Sequence, residues 1–248
     1  MFDLQGRRAL VTGASSGLGQ HFAVTLAAAG AEVILAARRL DRLEDTVARI
    51  CDAGGRASAL AMDVSDRNSV TAALDTIATA DIVVNNAGVT HTGPALGIDD
   101  ETWNAVLDTN LNGAWIVAQE TARRMVATGT GGSLINVTSI LASRVAGGVA
   151  SYCAAKAGLA QLTRVLALEL ARHDIRVNSL APGYIVTALN SEFLASEAGD
   201  RLRQRIPGRR FGTPEHLDGP LLLLASDAGA HMSGSEIVVD GGHSCSSL

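Results

Sequence analysis

Aromatic residues are scarce in this chain, with Phe, Tyr and Trp together making 3% of 248 residues and tyrosine occurring twice, at Tyr152 and Tyr184. A core must therefore be assembled from aliphatic side chains. Cysteine is also rare, and Cys51, Cys153 and Cys245 are odd in number and far apart. They form no disulfide framework and no clustered metal site, so a reducing cytoplasm is the expected setting. No histidine sits in a His/Cys/Asp cluster with ligand spacing, so no metal is expected. Positive charge is in deficit, 20 Lys plus Arg against 25 Asp plus Glu for a formal charge of -5, and no basic run exceeds a pair. That argues against a nucleic-acid partner, which needs a basic face. Long apolar runs are missing too, well short of the roughly 18 residues of a membrane-crossing helix. The opening Met1-Phe2-Asp3-Leu4-Gln5-Gly6 lacks the basic-then-apolar pattern of a signal peptide, so neither a membrane role nor secretion is expected. What is plentiful is glycine, 26 residues, about one in ten where about 7% is usual. Some part of the fold needs bare backbone.

The length suits one domain, 1–248, and the pattern alternates short apolar runs with helical periodicities. Strands are expected at Arg7–Val11, Glu32–Ala36, Ala57–Met62, Ile82–Val84, Leu134–Val137, Ile175–Ser179 and Glu236–Val239. Between them lie helical stretches at about Gly17–Ala29, from Leu40, Ser69–Thr79, a long run reaching Val126, Tyr152–Arg172 and Pro214–Ala225. Nearly every strand is a continuous apolar run, as burial on both faces requires, Asn136 being an exception. Regularity lapses after Pro182-Gly183, and 188–211 reads as a lid with a helix-compatible stretch at Ser191–Arg205. Alternation of this kind predicts an α/β fold, a doubly wound parallel sheet in a three-layer sandwich, with ligands at the carboxyl ends of the strands.

Thr12-Gly13-Ala14-Ser15-Ser16-Gly17-Leu18-Gly19 joins the first strand to the first helix, the context in which a glycine loop holds a dinucleotide. Gly13 permits the turn, Gly17 the approach of a pyrophosphate, and Gly19 tight helix packing. Free amides at the helix start favour the anion. Asp63, after the third strand, is placed to accept from an adenine amino group, and Asn85-Asn86-Ala87-Gly88 exposes backbone along the same path. The second strand ends in Ala36-Ala37-Arg38-Arg39, two guanidinium groups and no carboxylate. Arg38 is the candidate contact for a 2'-phosphate, favouring NADP(H) over NAD(H), while Arg39 stacks on adenine or faces solvent. Tyr152 and Lys156, at i and i+4, share a helix face, and an ammonium beside the phenol is expected to lower its pKa. Ser139, at the end of a neighbouring strand, is placed to hydrogen-bond the same reacting oxygen.

Over essentially its whole length the chain resembles the short-chain dehydrogenase/reductase family. The matches are the TGxxxGxG form at Thr12 to Gly19, Asn85-Asn86-Ala87-Gly88, Asn110, Ser139, Tyr152 with Lys156, and Pro182-Gly183 with Thr187. The resemblance implies a Rossmann fold, a catalytic tetrad of Asn110, Ser139, Tyr152 and Lys156, and a homodimer or homotetramer. It gives Lys156 a second role at the nicotinamide ribose and Asn110 that of holding a water that links Lys156 to solvent. It draws Ser15, Ser16, Leu18, Val64, Asn86 and Ala87 into the cofactor site, and sets Pro182, Gly183, Ile185 and Thr187 over the nicotinamide.

Substrate contacts are expected from Ser139, Leu141, Val149, Tyr152 and Tyr184. The stretch Ile140 to Val149, small and apolar apart from Ser143 and Arg144, suggests a pocket for a hydrophobic ketone. The leading expectation is NADPH-dependent reduction of a ketone to a secondary alcohol, reversible, with the proton from Tyr152. A 3-oxoacyl-thioester reductase is disfavoured by the neutral segment Ala127 to Gly132 where such relatives tend to be basic. Oxidation of alcohols, sugars or steroids with NAD, and a dehydratase or epimerase, remain alternatives. From another class stands a cofactor-sensing protein without catalysis, against which the intact Ser139, Tyr152 and Lys156 set argues.

Overall fold

The computed structural model describes residues 2–187 and 190–245. Seven strands, β1 (Arg8–Thr12), β2 (Glu32–Ala37), β3 (Arg56–Ala61), β4 (Ile82–Asn85), β5 (Gly132–Val137), β6 (Ile175–Pro182) and β7 (Glu236–Val239), form one parallel sheet in the order β3-β2-β1-β4-β5-β6-β7. The helices are α1 (Gly17–Ala28), α2 (Asp41–Asp52), α3 (Arg67–Leu74), α4 (Asp100–Leu107), α5 (Gly113–Thr128), α6 (Ala150–Leu170), α7 (Ser191–Leu194), α8 (Glu197–Arg203) and α9 (Asp218–Ala225). The chain winds outward from β1 to β3, then crosses back to β4 beside β1. That reversal opens a crevice at the ends of β1 and β4, where Thr12 and Asn85 lie.

Successive side chains of a strand face opposite ways, so each strand feeds two cores. Val11, Leu35, Val84, Ile135 and Leu180 pack with α1, α2 and α9 through Phe22, Leu26, Leu43 and Leu221. Leu10, Ile34, Val83, Leu134 and Val177 pack with α3, α5 and α6 through Val70, Met125 and Leu166. Each fully buried Leu, Phe or Met contributes about 1.5–3 kcal/mol relative to exposure, enough to fix the register against a one-residue slip. The polar exception, Asn136, is fully buried and bonded on both sides. Its Oδ1 accepts from Asn85 Nδ2 at 3.0 Å and its Nδ2 donates to Thr163 Oγ1 at 2.9 Å, tying β4, β5 and α6 together.

Three helical expectations change. The long run to Val126 is broken by a π-helical turn at Asp108–Asn112 between α4 and α5. The expected Ser69–Thr79 helix starts at Arg67, because the Asp66 carboxylate caps the Asn68 amide at 2.9 Å, and ends at Leu74. The helix-compatible stretch Ser191–Arg205 is two short helices, split where Ser196 caps α8 by accepting from the Gly199 amide at 3.3 Å. Ala188 and Leu189, the first two positions of the expected lid, lie outside the described residues.

Candidate active site

At the crevice, the end of β1 and the segment after β4 are laced together. Thr12 Oγ1 accepts from the amides of Asn86 and Ala87, both at 3.0 Å, and Asn86 Nδ2 donates to the Thr12 carbonyl at 3.0 Å. The threonine hydroxyl is a knot between the two segments, where sequence reasoning had read Thr12 only as the opening of the glycine loop. Two glycines make the fit possible. Gly13 adopts φ +65°, and a Cβ there would stand 2.7 Å from Ala87 Cα. A Cβ on Gly19 would fall 2.4 Å from the Gly13 carbonyl oxygen and 2.5 Å from Asn86 Nδ2, so neither position admits a side chain.

The same loop delivers the start of α1. Ser16 occupies the N-cap in extended conformation with no cap hydrogen bond from its side chain, and no acidic residue stands in the first turn, so the first amides stay available to an anion. Ser15 sits in this loop and Leu18 packs against the core below it. Arg38 and Arg39 emerge exposed at the end of β2. The Asp63 carboxylate is held below its ordinary range, chiefly by the Ser65 hydroxyl at 2.6 Å and amide at 3.0 Å, with Arg38 adding attraction against the opposing effect of burial. Arg38 therefore lies near Asp63. Val64 is buried against Gly113. These groups suit a phosphorylated dinucleotide: a glycine cradle, uncapped helix amides and a cation where a 2'-phosphate would lie.

Across the crevice, α6 presents Tyr152 and Lys156 on one face. The Lys156 Nζ lies 5.6 Å from the Tyr152 ring centre and donates to the Val137 carbonyl at 2.8 Å. The Ser139 hydroxyl accepts from the Leu141 amide at 3.1 Å and lies near enough to the phenol to favour its ionised form. The expected lowering of the Tyr152 pKa is reversed. Burial pushes the phenol above its ordinary value and outweighs the nearby Ser139 hydroxyl, which pulls the other way. Burial also brings the Lys156 ammonium down to about 8, so the cation is itself weakened.

Asn110 lies in the π turn, fully buried, its Nδ2 donating to the carbonyls of Val89 at 2.8 Å and Val106 at 2.9 Å. Its Oδ1 has no partner among the described residues and faces Gly88, where a Cβ would approach it to 2.6 Å. On the far wall, the Gly183 amide donates to Val239 at 2.9 Å beside Pro182. The Ile185 side chain turns into the core, so that position offers main chain to the crevice rather than a side chain. Thr187 is fixed through its amide and hydroxyl to Asn190 Oδ1, at 2.8 and 3.2 Å.

A cavity of about 790 Å³ adjoins this group, with Leu141 and Tyr184 in its wall. Ser139 immediately precedes the lining residues Ile140 and Leu141, and Tyr184 raises the Tyr152 pKa by proximity. Of the expected substrate contacts, Leu141 and Tyr184 line the cavity, while Ser139, Tyr152 and Val149 are outside its lining, Val149 being the residue that leads into α6. The expectation of an apolar pocket is also overturned, because Arg144, Arg205, Arg209, Gln204 and His243 share its wall. Sequence reasoning read Arg144 as an interruption and missed the others. Nothing local marks them, since they come from the segment after α8 and from the turn after β7.

Comparison with known proteins follows the same lines. A family model described as enoyl-(acyl carrier protein) reductase matches residues 13–244. The chain is 36% identical to the 2-dehydro-3-deoxy-D-gluconate 5-dehydrogenase of Dickeya dadantii (strain 3937), over 97% of this chain and 96% of that protein. It is 36% identical to the gluconate 5-dehydrogenase of Gluconobacter oxydans (strain 621H), over 98% of this chain and 96% of the relative. The crystal structure of a gluconate 5-dehydrogenase from Burkholderia cenocepacia J2315, in complex with NADP and tartrate, matches with a TM-score of 0.95 at 35% identity, covering 99% of this chain and 98% of that one.

Proposed function

Because this chain belongs to the short-chain dehydrogenase/reductase family, we propose that it interconverts a secondary alcohol and a ketone on a small sugar-type substrate, using NADP(H). It is an NAD(P)-dependent oxidoreductase acting on CH–OH groups. The observation that carries the finer reading is the convergence of Ser139, Tyr152 and Lys156 beside a polar cavity of about 790 Å³. The likeness to gluconate dehydrogenases supports a polyhydroxylated substrate in place of the apolar ketone the sequence suggested. The likeness to a protein crystallised with NADP, together with exposed Arg38 and the missing carboxylate at the end of β2, supports the phosphorylated nucleotide.

When bound, the cofactor supplies or accepts the hydride. The protein's part is the proton. Tyr152, kept as a neutral phenol by burial, donates to the carbonyl oxygen in reduction and, as phenolate, takes the hydroxyl proton in oxidation. Ser139 hydrogen-bonds that oxygen and steadies the charge that develops on it. Lys156, anchored on Val137, sets its ammonium beside the ring and favours phenolate whenever it is charged. Asn110 holds the π turn to Val89 and turns its remaining Oδ1 inward as an acceptor for a proton-carrying water.

The test is an initial-rate panel of polyols, sugar acids and apolar ketones with both nucleotides. Tyr152→Phe should lower turnover by about 10²–10⁴-fold while NADP binding is retained, as expected for a lost general acid. Near-normal turnover removes Tyr152 from proton transfer. In the same panel Arg38→Ala should raise the Michaelis constant for NADP more than that for NAD, and an equal effect on both removes Arg38 from phosphate recognition.

A further inference from the structure

The charge of the cavity wall runs against that of the molecule. The chain carries a formal charge of -5, yet three arginines, Arg144, Arg205 and Arg209, line the cavity together with the neutral His243 ring, and no aspartate or glutamate does. These groups come from three separate stretches: the turn after Ile140, the segment after α8, and the turn after β7. Among the described residues none of the three guanidinium groups has an ion-pair partner. Other arginines of the same lid behave differently. Arg201 pairs with Glu197 at 3.0 Å and Arg203 with Asp200 at 2.8 Å, and neither lines the cavity. Of the five arginines in this stretch, Arg201 and Arg203 are neutralised by carboxylates, while Arg205 and Arg209 line the cavity and the neighbouring Arg210 does not.

The arrangement is held in place by main chain. Ile206 is buried, and a Cβ on Gly241 would come within 3.3 Å of its Cγ2; one on Gly242 would come within 3.4 Å of Pro207 Cγ. The lid turn therefore sits closely on the C-terminal turn that carries His243. Arg209 follows in a left-handed conformation, φ +52°, its amide bonded to the Ile206 carbonyl at 2.9 Å. Burial, then Arg144 and Arg205, push the His243 pKa down while Asp240 pulls it up, so both guanidinium groups act on the same imidazole. The Tyr184 ring stands 5.8 Å from the His243 ring and neighbours Tyr152, which joins this cationic end to the proton-transfer end.

We infer that Arg144 and Arg205, with Arg209, form a carboxylate clamp that selects a short polyhydroxy carboxylate and fixes its acid end away from the Ser139–Tyr152 pair. The clamp rests on the alcohol–ketone reading above. Guanidinium groups match the planar carboxylate with paired hydrogen bonds. A charge held by one wall from the Ile140 turn and another from the lid also draws the lid onto the substrate. No acid on the wall competes for the arginines.

The experiment compares D-gluconate with D-glucitol, the same carbon skeleton with CH2OH in place of the carboxylate, for wild type, Arg144→Gln, Arg205→Gln and the paired-arginine control Arg201→Gln. Wild type should favour gluconate in kcat/KM. Each cavity variant should lose about 10- to 100-fold on gluconate, as for a charge-assisted hydrogen bond of about 1.5–3 kcal/mol, with glucitol and the Arg201→Gln control little changed. Calorimetric titration of wild type and both cavity variants with tartrate and with threitol, its uncharged counterpart, gives a readout independent of turnover. Tartrate should bind wild type more tightly than threitol does, and the variants should erase the difference. Equal use of gluconate and glucitol, an unchanged ratio in the cavity variants, or no preference for tartrate overturns the clamp. So does faster turnover of acetoacetyl-coenzyme A with the same arginine dependence, which assigns the charge to a phosphate-bearing thioester. Absence of turnover on every alcohol and ketone with both nucleotides, with tartrate still preferred, is instead the failure of the alcohol–ketone reading.

Discussion

Lys156 and Tyr152 show how the burial of one charged group decides what a neighbour can do. Spacing at i and i+4 makes the pair legible from sequence, because both residues must then share a helix face. The direction of the phenol's shift is not legible. It depends on how much water the surrounding protein removes, and here desolvation raises Tyr152 while bringing Lys156 down to about 8. A phenol raised in this way is protonated throughout the neutral range, so ketone reduction should be nearly flat with pH there. Alcohol oxidation needs the phenolate and should rise with pH, by close to tenfold per unit below about pH 8 and less steeply above it, where Lys156 loses the charge that favours the phenolate. Rate–pH profiles in the two directions check this, and an oxidation profile flat between about pH 6 and 9 would contradict it. Arg144 is the opposite case. It was visible in the sequence as a lone charge in an apolar stretch, but its meaning depends on Arg205 and His243, which are remote in the chain.

The elements divide by how their signals are written. Strands declare themselves as apolar runs because the sheet is covered on both sides, and all seven were readable, with ends shifted by a few residues at most. Helix interruptions are harder to see. The π turn at Asp108–Asn112 inserts into a run whose polar and apolar spacing stays helical on either side, so periodicity passes over it. Asn110 enters the site because of that turn. The buried chain from Asn85 through Asn136 to Thr163 is likewise a link between elements, with Thr163 Oγ1 donating in turn to the Leu159 carbonyl at 2.8 Å. Thr163→Val keeps the shape but leaves Asn136 Nδ2 without its acceptor. The expected loss is about 1–3 kcal/mol in urea unfolding. Unchanged stability would mean that the asparagine re-pairs and the bridge between β5 and α6 is dispensable.

For the molecule as a whole, the decisive property is a positive cavity in a negative protein. An anionic substrate is repelled by the surface at large and attracted at the mouth, so capture should weaken with salt. Raising ionic strength from about 0.01 M to about 0.15 M shortens the screening length from about 30 Å to about 8 Å. The kcat/KM for gluconate should fall several-fold over that range and that for glucitol should stay nearly constant. Parallel behaviour of the two substrates would show that the cavity's field does not reach the encounter. The amino-acid sequence determined the alternating α/β sandwich, the glycine loop and the Tyr152–Lys156 face, because each is set by spacing within a short length of chain. Only the tertiary structure decided the sense of the Tyr152 shift, the absence of Val149 from the cavity wall and the polarity of the pocket. Desolvation and the meeting of the Ile140 turn, the segment after α8 and the turn after β7 are properties of packing between distant segments, and no local pattern encodes them.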